Sequence, residues 1–222
     1  MNKPAPKAMI LAAGRGTRLA PLTDTTPKPM LPVNGKPLIQ WQIEALARCG
    51  VREVIINLHH LGEVIENFLN DGSALGISIQ YSREEALLET GGGIVKALPL
   101  LGDAPFWLLN GDIWTDFDFA SLPNLPPGPN LVHMVLTPTP DWRDHGDFEY
   151  ADGSITARGE SHVYCGIACV TPSAFAGRKV QRFSWNEIFF DLVNQGLVSA
   201  QIHNGTWHDI GTLAQYEKLN RY

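Results

Sequence analysis

Apolar residues along this chain fall into two alternating patterns: short continuous runs, and longer stretches in which they return every three or four positions. Ala8-Met9-Ile10-Leu11-Ala12 is a run of the first kind, with the length expected of a strand buried on both faces. Pro37 stands where a helix would begin, and Leu38, Ile39, Trp41, Ile43, Leu46 and Ala47 form an apolar face at helical spacing that Gly50 stops. Residues 51–57 (VREVIIN) read as a second buried strand, and residues 61–68 as a helix with Leu61, Val64, Ile65 and Phe68 inward. Residues 77–81 read as a third strand. This β-α-β-α-β order predicts a mostly parallel sheet with helices on both faces, in the Rossmann-like manner. In such sheets ligands gather beyond the carboxyl ends of the strands.

The pattern continues past Glu89. Residues 89–93 (ETGGG) open a helix expected to run through Leu98 and close at Pro99, and residues 106–109 form a buried central strand that runs into Asn110-Gly111-Asp112. Residues 121–130 (SLPNLPPGPN) are the proline-dense stretch, a surface connection rather than a domain boundary. A strand over 131–136 follows, then a polar loop over 141–147 and a two-residue hairpin turn at Asp152-Gly153. Another strand covers 164–170, a helix over 185–195 ends at Gly196, and a strand over 198–203 precedes a last helix ending at Asn220.

With 222 residues, 44% of them hydrophobic, the chain suits one domain carrying a small lobe, and disorder is not expected. A net charge of −6 argues against a nucleic-acid partner, which normally selects a basic field. No apolar run approaches the roughly 18 residues of a membrane span, so no membrane partner is expected. The polar N-terminus leads straight into the first strand without a secretory signal. Cys49, Cys165 and Cys169 form neither an even set nor a Cys-x-x-Cys pair; they read as reduced thiols of a cytoplasmic protein. The histidines offer no zinc spacing, and adjacent His59-His60 read as solvent-facing. No apolar stripe is clear enough to mark an interface, so a monomer is the default.

The candidate chemistry begins after the first strand. Gly14-Arg15-Gly16-Thr17-Arg18 is a glycine-spaced loop with two guanidinium groups, and Pro27-Lys28-Pro29 follows. Glycines there allow a tight turn and let successive N–H groups point at one anion. Taken alone, Gly-x-Gly is an ordinary turn as readily as a phosphate cradle. Neither the Walker spacing nor Gly-x-Gly-x-x-Gly is present. Residues 91–93 are open to the same pair of readings, a helix start packed closely or backbone groups offered to a ligand. Asp112 just past a buried strand could hold a hard cation, although Asn-Gly-Asp by itself is commonly a turn.

The longer string decides more. AAGRGTRLAPLTDTTPKPMLPVNGKPLI, from Ala12, resembles the opening of the sugar-1-phosphate nucleotidylyltransferases, LAAGxGTRLxPLTxxxPKPxxPxxxxP, over nearly thirty positions with fixed spacing. The resemblance implies nucleotidyl transfer, in which a sugar 1-phosphate attacks the α-phosphorus of a nucleoside triphosphate and expels pyrophosphate. A phosphate nucleophile is largely dianionic at neutral pH, its second pKa lying near about 6, so no general base is required. Neutralising repelling anions and positioning them are what the protein must supply. The resemblance implies Mg²⁺ held by Asp112 and by Asp209 of the late Trp-x-Asp-x-Gly-Thr segment. It implies Arg18 and Lys28 as the catalytic cations facing the phosphates. It also implies a nucleotide site at Leu11, Ala12, Ala13, Gly14, Gly16, Thr17, Gly91 and Asn110.

Within that family, short members with LETGGG, GDAPFxLLNGDxWTDxDF, a later GDF and GxWxDxGT look like N-acetylmuramate-1-phosphate uridylyltransferases. Those blocks stand here at 88–93, 102–119, 146–148 and 205–212. This branch implies UTP and N-acetylmuramic acid 1-phosphate as partners, and a role in peptidoglycan recycling. The Glu-Lys-Pro motif of many hexose-phosphate relatives is missing, and Glu89 replaces the glycine usual in guanylyltransferases. Other sugar 1-phosphates with dTTP, UTP or GTP, phosphocholine cytidylyl transfer, and a non-catalytic nucleotide-sugar sensor are the alternatives. Residues of about 8–112 would form the nucleotide-binding half and about 113–212 the sugar-binding half of a single domain spanning 1–222. Gly146, Asp147 and Gly166 lie in segments that form the sugar pocket in relatives. Trp207 either packs on the sugar ring or fills the core. On charge alone, Arg143 or Arg158 is expected to pair with the lactyl carboxylate.

Overall fold

The computed structural model describes residues 5–220. In chain order the elements are β1 (Ala8–Leu11), β2 (Pro32–Val33), β3 (Lys36–Pro37), α1 (Leu38–Arg48), β4 (Glu53–Leu58), α2 (Gly62–Leu69), β5 (Ser78–Arg83), α3 (Glu89–Leu101) and β6 (Phe106–Asn110). There follow β7 (Ile113–Thr115), β8 (Val132–Pro138), β9 (Phe148–Ala151), β10 (Ser154–Arg158), β11 (His162–Val170), α4 (Asn186–Asn194), β12 (Val198–Ile202), β13 (Trp207–Asp209) and α5 (Leu213–Leu219). A nine-stranded sheet in the order β5-β4-β1-β6-β11-β8-β12-β10-β9 forms the middle layer. Its pairings run β5, β4, β1, β6, β8, β12 and β9 in one direction and only β11 and β10 in the other. The expected mostly parallel sheet is therefore present.

Strand alternation sorts the apolar side chains into two layers. Ala8 and Ile10 of β1 pack with Ile39, Ile43 and Leu46 of α1 and with Ile65 and Leu69 of α2. Met9 points the other way and packs with Ile94, Ala97 and Leu101 of α3 and with Ile188, Phe189 and Leu192 of α4. Helices thus cover both faces. A smaller cluster of Leu19, Leu31, Val33, Leu38, Ile210 and Leu219 fastens the loop after β1 and α5 against the start of α1. The Asp152-Gly153 turn joins β9 to β10 with φ of 49° and 83°, the left-handed pair that a two-residue hairpin requires.

Three expectations need correction. Helix α2 presents Gly62, Ile65 and Leu69 to the sheet, while Val64 and Phe68 are exposed at 37% and 46%. A Cβ on Gly62 would lie 2.8 Å from Leu58 Cβ, so the helix start is pressed onto the end of β4 and the inward stripe is set from residue 62. Helix α3 does not close at Pro99 but continues to Leu101, where the Gly102 N–H bonds to the Leu98 carbonyl. A proline this close to the end removes one helical hydrogen bond and is tolerated. His59 and His60 are half-buried, not solvent-facing. His59 Nδ1 lies 3.0 Å from the Glu84 carbonyl oxygen, and His60 Nε2 3.2 Å from that of Thr23.

The start of α3 explains the three glycines by packing. Gly91 and Gly92 both donate their N–H to the Phe183 carbonyl, at 3.1 and 3.2 Å, and a Cβ on Gly92 would sit 2.1 Å from the Gln181 carbonyl oxygen. The obstacle is backbone, which cannot swing aside. Gly92→Ala should therefore lower stability by about 1–3 kcal/mol, seen as a fall of several degrees in Tm by thermal denaturation. An unchanged Tm would show that the 181–183 segment moves freely.

Candidate functional site

The parallel strands β1, β4 and β6 end together, Leu11 lying opposite both Asn57 and Asn110. Beyond these ends opens a cavity of about 370 Å³, lined by Leu11, Ala12, Ala13, Gly14, Lys28, Pro29, Asn57, Leu87, Glu89, Thr90, Asn110, Gly111 and Asp112. A buried chain of hydrogen bonds shapes its floor. The Ala12 N–H donates to Asn57 Oδ1 at 2.9 Å, Asn57 Nδ2 donates to Glu84 Oε1 at 2.8 Å, and the Leu88 N–H donates to Glu84 Oε2 at 2.9 Å. The loop after β1 and the loop before α3 are thereby held to one strand end. The N–H groups of Ala13, Gly14, Arg15 and Gly16 find no acceptor among the described residues and stand ready for an anion. Gly16 takes φ of 63°, with Thr23 Oγ1 donating to its carbonyl at 2.9 Å to close the loop.

Asp112 is brought to this edge by close approach. Gly111 donates its N–H to the Leu11 carbonyl at 2.9 Å, and a Cβ there would lie 2.6 Å from that same oxygen. Buried Gln42 of α1 donates to the carbonyls of Asn110 and Ile113, at 2.9 and 3.0 Å, and so brackets the turn that carries Asp112. Lys28, 8% exposed on a short 3₁₀ turn between prolines, donates to Asp112 Oδ2 at 2.5 Å. The second carboxylate arrives from far along the chain. Strand β13 pairs antiparallel with β7, placing Asp209 opposite Ile113, and the Ile210 N–H bonds to the Asp112 carbonyl at 3.0 Å.

Burial pushes the Asp209 carboxyl above its ordinary value and the Asp112 charge adds to the rise, while Lys28, Arg18 and Arg143 oppose it. Two like charges are thus gathered inside a ring of cations. Arg18 itself lies against Gly211, where a Cβ would come within 3.3 Å of its guanidinium. Asp112 and Asp209 supply only oxygen donors, and among the described residues no group of three His, Cys, Asp or Glu could hold a metal. This set fits a hard divalent cation that takes one or two protein carboxylates and completes its shell from phosphate and water.

A second cleft, of about 560 Å³, adjoins the first. Asn110 lines both, and Asp209 lines the second. Gly146, Asp147, Arg143 and Arg158 are on its walls. Asp147 accepts from Arg143 Nη2 at 3.3 Å and from the Tyr164 N–H at 3.1 Å, so its carboxylate is engaged with the protein. Arg158 places its guanidinium 3.5 Å from the centre of the Phe190 ring.

Of the residues singled out from the sequence, Leu11, Ala12, Ala13, Gly14, Lys28, Asn110 and Asp112 surround the first cavity, and Gly146, Asp147 and Asp209 the second. Gly16 and Thr17 belong to the loop that bounds the first cavity without lining it, and Arg18 joins from beside Asp209. Three more residues are placed by their packing. Gly91 is buried with its N–H committed to Phe183, and Glu89 and Thr90 line the cavity in its place. Gly166 sits at an irregularity of β11 with φ of 73°, where a Cβ would lie 2.9 Å from Asn110; it makes room for Asn110. Trp207 fills the core. It is 6% exposed, donates Nε1 to the Cys165 carbonyl at 2.8 Å and stacks on Trp142.

Asn57, Glu84 and Gln42 escaped the sequence reading. A polar residue ending an apolar strand at the binding edge was a usable signal for Asn57. A glutamine inside an apolar helical face was one for Gln42. Nothing local marked Glu84.

The model of the nucleotidyl transferase family matches residues 7–125, more than half of the chain. The chain belongs to the nucleotidyl transferase family. This nucleotidyl transferase is 42% identical to an N-acetylmuramate alpha-1-phosphate uridylyltransferase of Neisseria meningitidis over 96% of each chain. It is 33% identical to a protein of the same name from Caulobacter vibrioides over 93% of each. Among solved structures it is similar to a Bacillus anthracis protein, provisionally assigned as a glucose-1-phosphate thymidylyltransferase and crystallised with sucrose. The TM-score is 0.85 with 22% identity, covering 98% of this chain and 94% of that one, and the likeness speaks for the fold.

Gln42 offers a test of how the nucleotidyl transferase positions its carboxylate. Gln42→Met keeps the packing volume and removes both hydrogen bonds to the Asp112 turn. The expected result is a kcat lowered about tenfold or more through misplacement of the turn, with nucleotide KM little changed, read by pyrophosphate release. A kcat within twofold of wild type would show that Gln42 does not position Asp112.

Proposed function

We propose that this nucleotidyl transferase moves a uridylyl group from UTP to N-acetylmuramic acid 1-phosphate, giving UDP-N-acetylmuramic acid and pyrophosphate in peptidoglycan recycling. The observation that carries the reaction type is the meeting of two cavities at two carboxylates. A nucleotide in the first cavity presents its α-phosphate near Asp112, and a sugar phosphate in the second approaches from the side of Asp209. Residues of about 8–112 act as the nucleotide-binding half and about 113–212 as the sugar-binding half. The end-to-end likeness to two N-acetylmuramate alpha-1-phosphate uridylyltransferases supports the choice of substrates.

The side chains then have distinct tasks. The sugar phosphate is already an anion, so no proton needs to be removed before it attacks in line. The free N–H groups of residues 13–16 receive triphosphate oxygens, and Lys28 and Arg18 offset charge that builds on the leaving pyrophosphate. Asp112 and Asp209 would hold Mg²⁺, which would supply positive charge against the charge that develops on the phosphates. In the second cleft Arg143 and Arg158 supply the positive charge that a lactyl carboxylate needs. No helix among the described residues is long and apolar enough to cross a membrane, and all three cysteines are free thiols, which supports a cytoplasmic site of action.

Pyrophosphate release with Mg²⁺, crossing four nucleoside triphosphates with a panel of sugar 1-phosphates, tests this reading. UTP with N-acetylmuramic acid 1-phosphate should give the highest kcat/KM, ahead of N-acetylglucosamine 1-phosphate, which lacks only the lactyl group. A different best pair would leave the reaction type and replace the substrates. Silence with every pair, beside tight nucleotide-sugar binding, would make the protein a sensor.

Asp112→Asn isolates the carboxylate. An amide keeps the turn but binds a hard cation weakly, so turnover should fall about a hundredfold or more while Tm stays near wild type. Normal turnover at saturating Mg²⁺ would remove Asp112 from the metal site.

A further inference from the structure

Two buried polar atoms of residues that line the second cleft have no hydrogen-bond partner among the described residues. They are Nε1 of Trp185 and the hydroxyl of Tyr164, and both residues line that cleft. Trp185 is 6% exposed. Tyr164 is half-buried as a residue, but its hydroxyl is withdrawn from solvent. Burying a hydrogen-bonding group without a partner is costly, and folded proteins leave few such groups. Two on one cleft wall need an explanation. Beside the charged side chains of the cleft, Phe148, Phe189 and Met134 give the same space an apolar patch.

We propose that Trp185 and Tyr164 read the acetamido group of the sugar. The inference rests on the reading of the substrate as an N-acetylated sugar 1-phosphate. An acetamido group is the chemical complement of this wall. Its carbonyl oxygen accepts from the indole N–H, its amide N–H is a donor for the tyrosine oxygen, and its methyl group takes the aromatic surface. A hexose with a hydroxyl at that carbon fills neither the apolar surface nor both polar atoms. A site built around unpaired polar groups discriminates against the analogue that leaves them unpaired.

The position of Trp185 also links the two cavities. Its backbone N–H donates to Thr90 Oγ1 at 3.0 Å, and Thr90 lines the nucleotide cavity. The bonds from Gly91 and Gly92 to Phe183 hold the same segment. The tight start of α3 therefore sets where the indole stands.

The test compares sugar 1-phosphates that differ only in acetamido against hydroxyl, in the wild-type enzyme and in Tyr164→Phe and Trp185→Phe. In each variant the ratio of kcat/KM for acetamido over hydroxyl should fall about tenfold, the scale of one lost hydrogen bond, mainly through KM. In Tyr164→Phe, Tm should stay level or rise, because only an unpartnered buried hydroxyl has been removed. A structural role predicts the opposite pair, a lowered Tm with the ratio intact, and that outcome overturns the proposal.

An independent reading comes from the indole N–H resonance of Trp185, assigned in the wild-type protein by its connection through the ring to the Trp185 backbone. It should shift on adding N-acetylglucosamine 1-phosphate to the wild-type protein and stay in place with glucose 1-phosphate. No shift with the former overturns the proposal even where the tryptophan variant does not fold. If wild type shows no preference for acetamido sugars, the substrate reading fails first. If wild type prefers them and both variants keep that preference, only this inference fails.

Discussion

The site depends on a two-stranded ladder of three residues a side. Strand β13 pairs with β7, and this short pairing lays Asp209 beside Asp112 although nearly a hundred positions separate them in the chain. Such a ladder is too small to hold by its own hydrogen bonds. It is secured from both sides: Trp207 at its start is anchored in the core through the Cys165 carbonyl, and Ile210 just past its end is fully buried with Leu19 and Leu38. The core position of Trp207 is thus a contribution to the site at one remove. Its packing fixes the strand that delivers the carboxylate.

What the ladder assembles is electrostatically unfavourable without its counter-charges. Two partly buried carboxylates repel each other, and Lys28, Arg18 and Arg143 converge on them from three separate segments. Other departures from local preference gather in the same region. Glu89 lines the first cavity at φ of 60°, a conformation that glycine adopts freely, and the Arg182 guanidinium holds its carboxylate at 2.8 Å. The two unpartnered polar atoms of residues on the second cleft belong to the same pattern. Proteins keep local costs of this kind where a ligand repays them.

Glycine serves two physical purposes around the site, and they are easily confused in a sequence. Gly14 has open space around it and leaves backbone donors free. Gly91, Gly92, Gly111 and Gly166 instead let backbone or side chains from another element approach closer than a Cβ would permit. Those close approaches seat Asp112 against β1, Asn110 against β11 and the 181–185 segment against α3. Because both uses appear as glycine beside a strand or helix start, only the neighbouring element distinguishes them.

The order of strands and helices, the sheet edge where the first cavity opens and the glycine-spaced loop after β1 were legible in the sequence because they follow from local rules. Continuous apolar runs mark buried strands, three-to-four spacing marks helices, and glycine or proline marks their ends. The residue pattern from Ala12 to Pro37 pointed to the chemistry through its resemblance to the sugar-1-phosphate nucleotidylyltransferases, and its cations and glycines suit a triphosphate. Tertiary structure alone decided the rest. Whether Gly91 faces a ligand or Phe183, whether Trp207 meets a sugar or the core, and which face of α2 turns inward depend on what packs opposite. The Asn57–Glu84 bridge and the clamp by Gln42 join segments distant in sequence, and no local periodicity records such a bond. Local spacing sets what an element is; contact across elements sets what each side chain does.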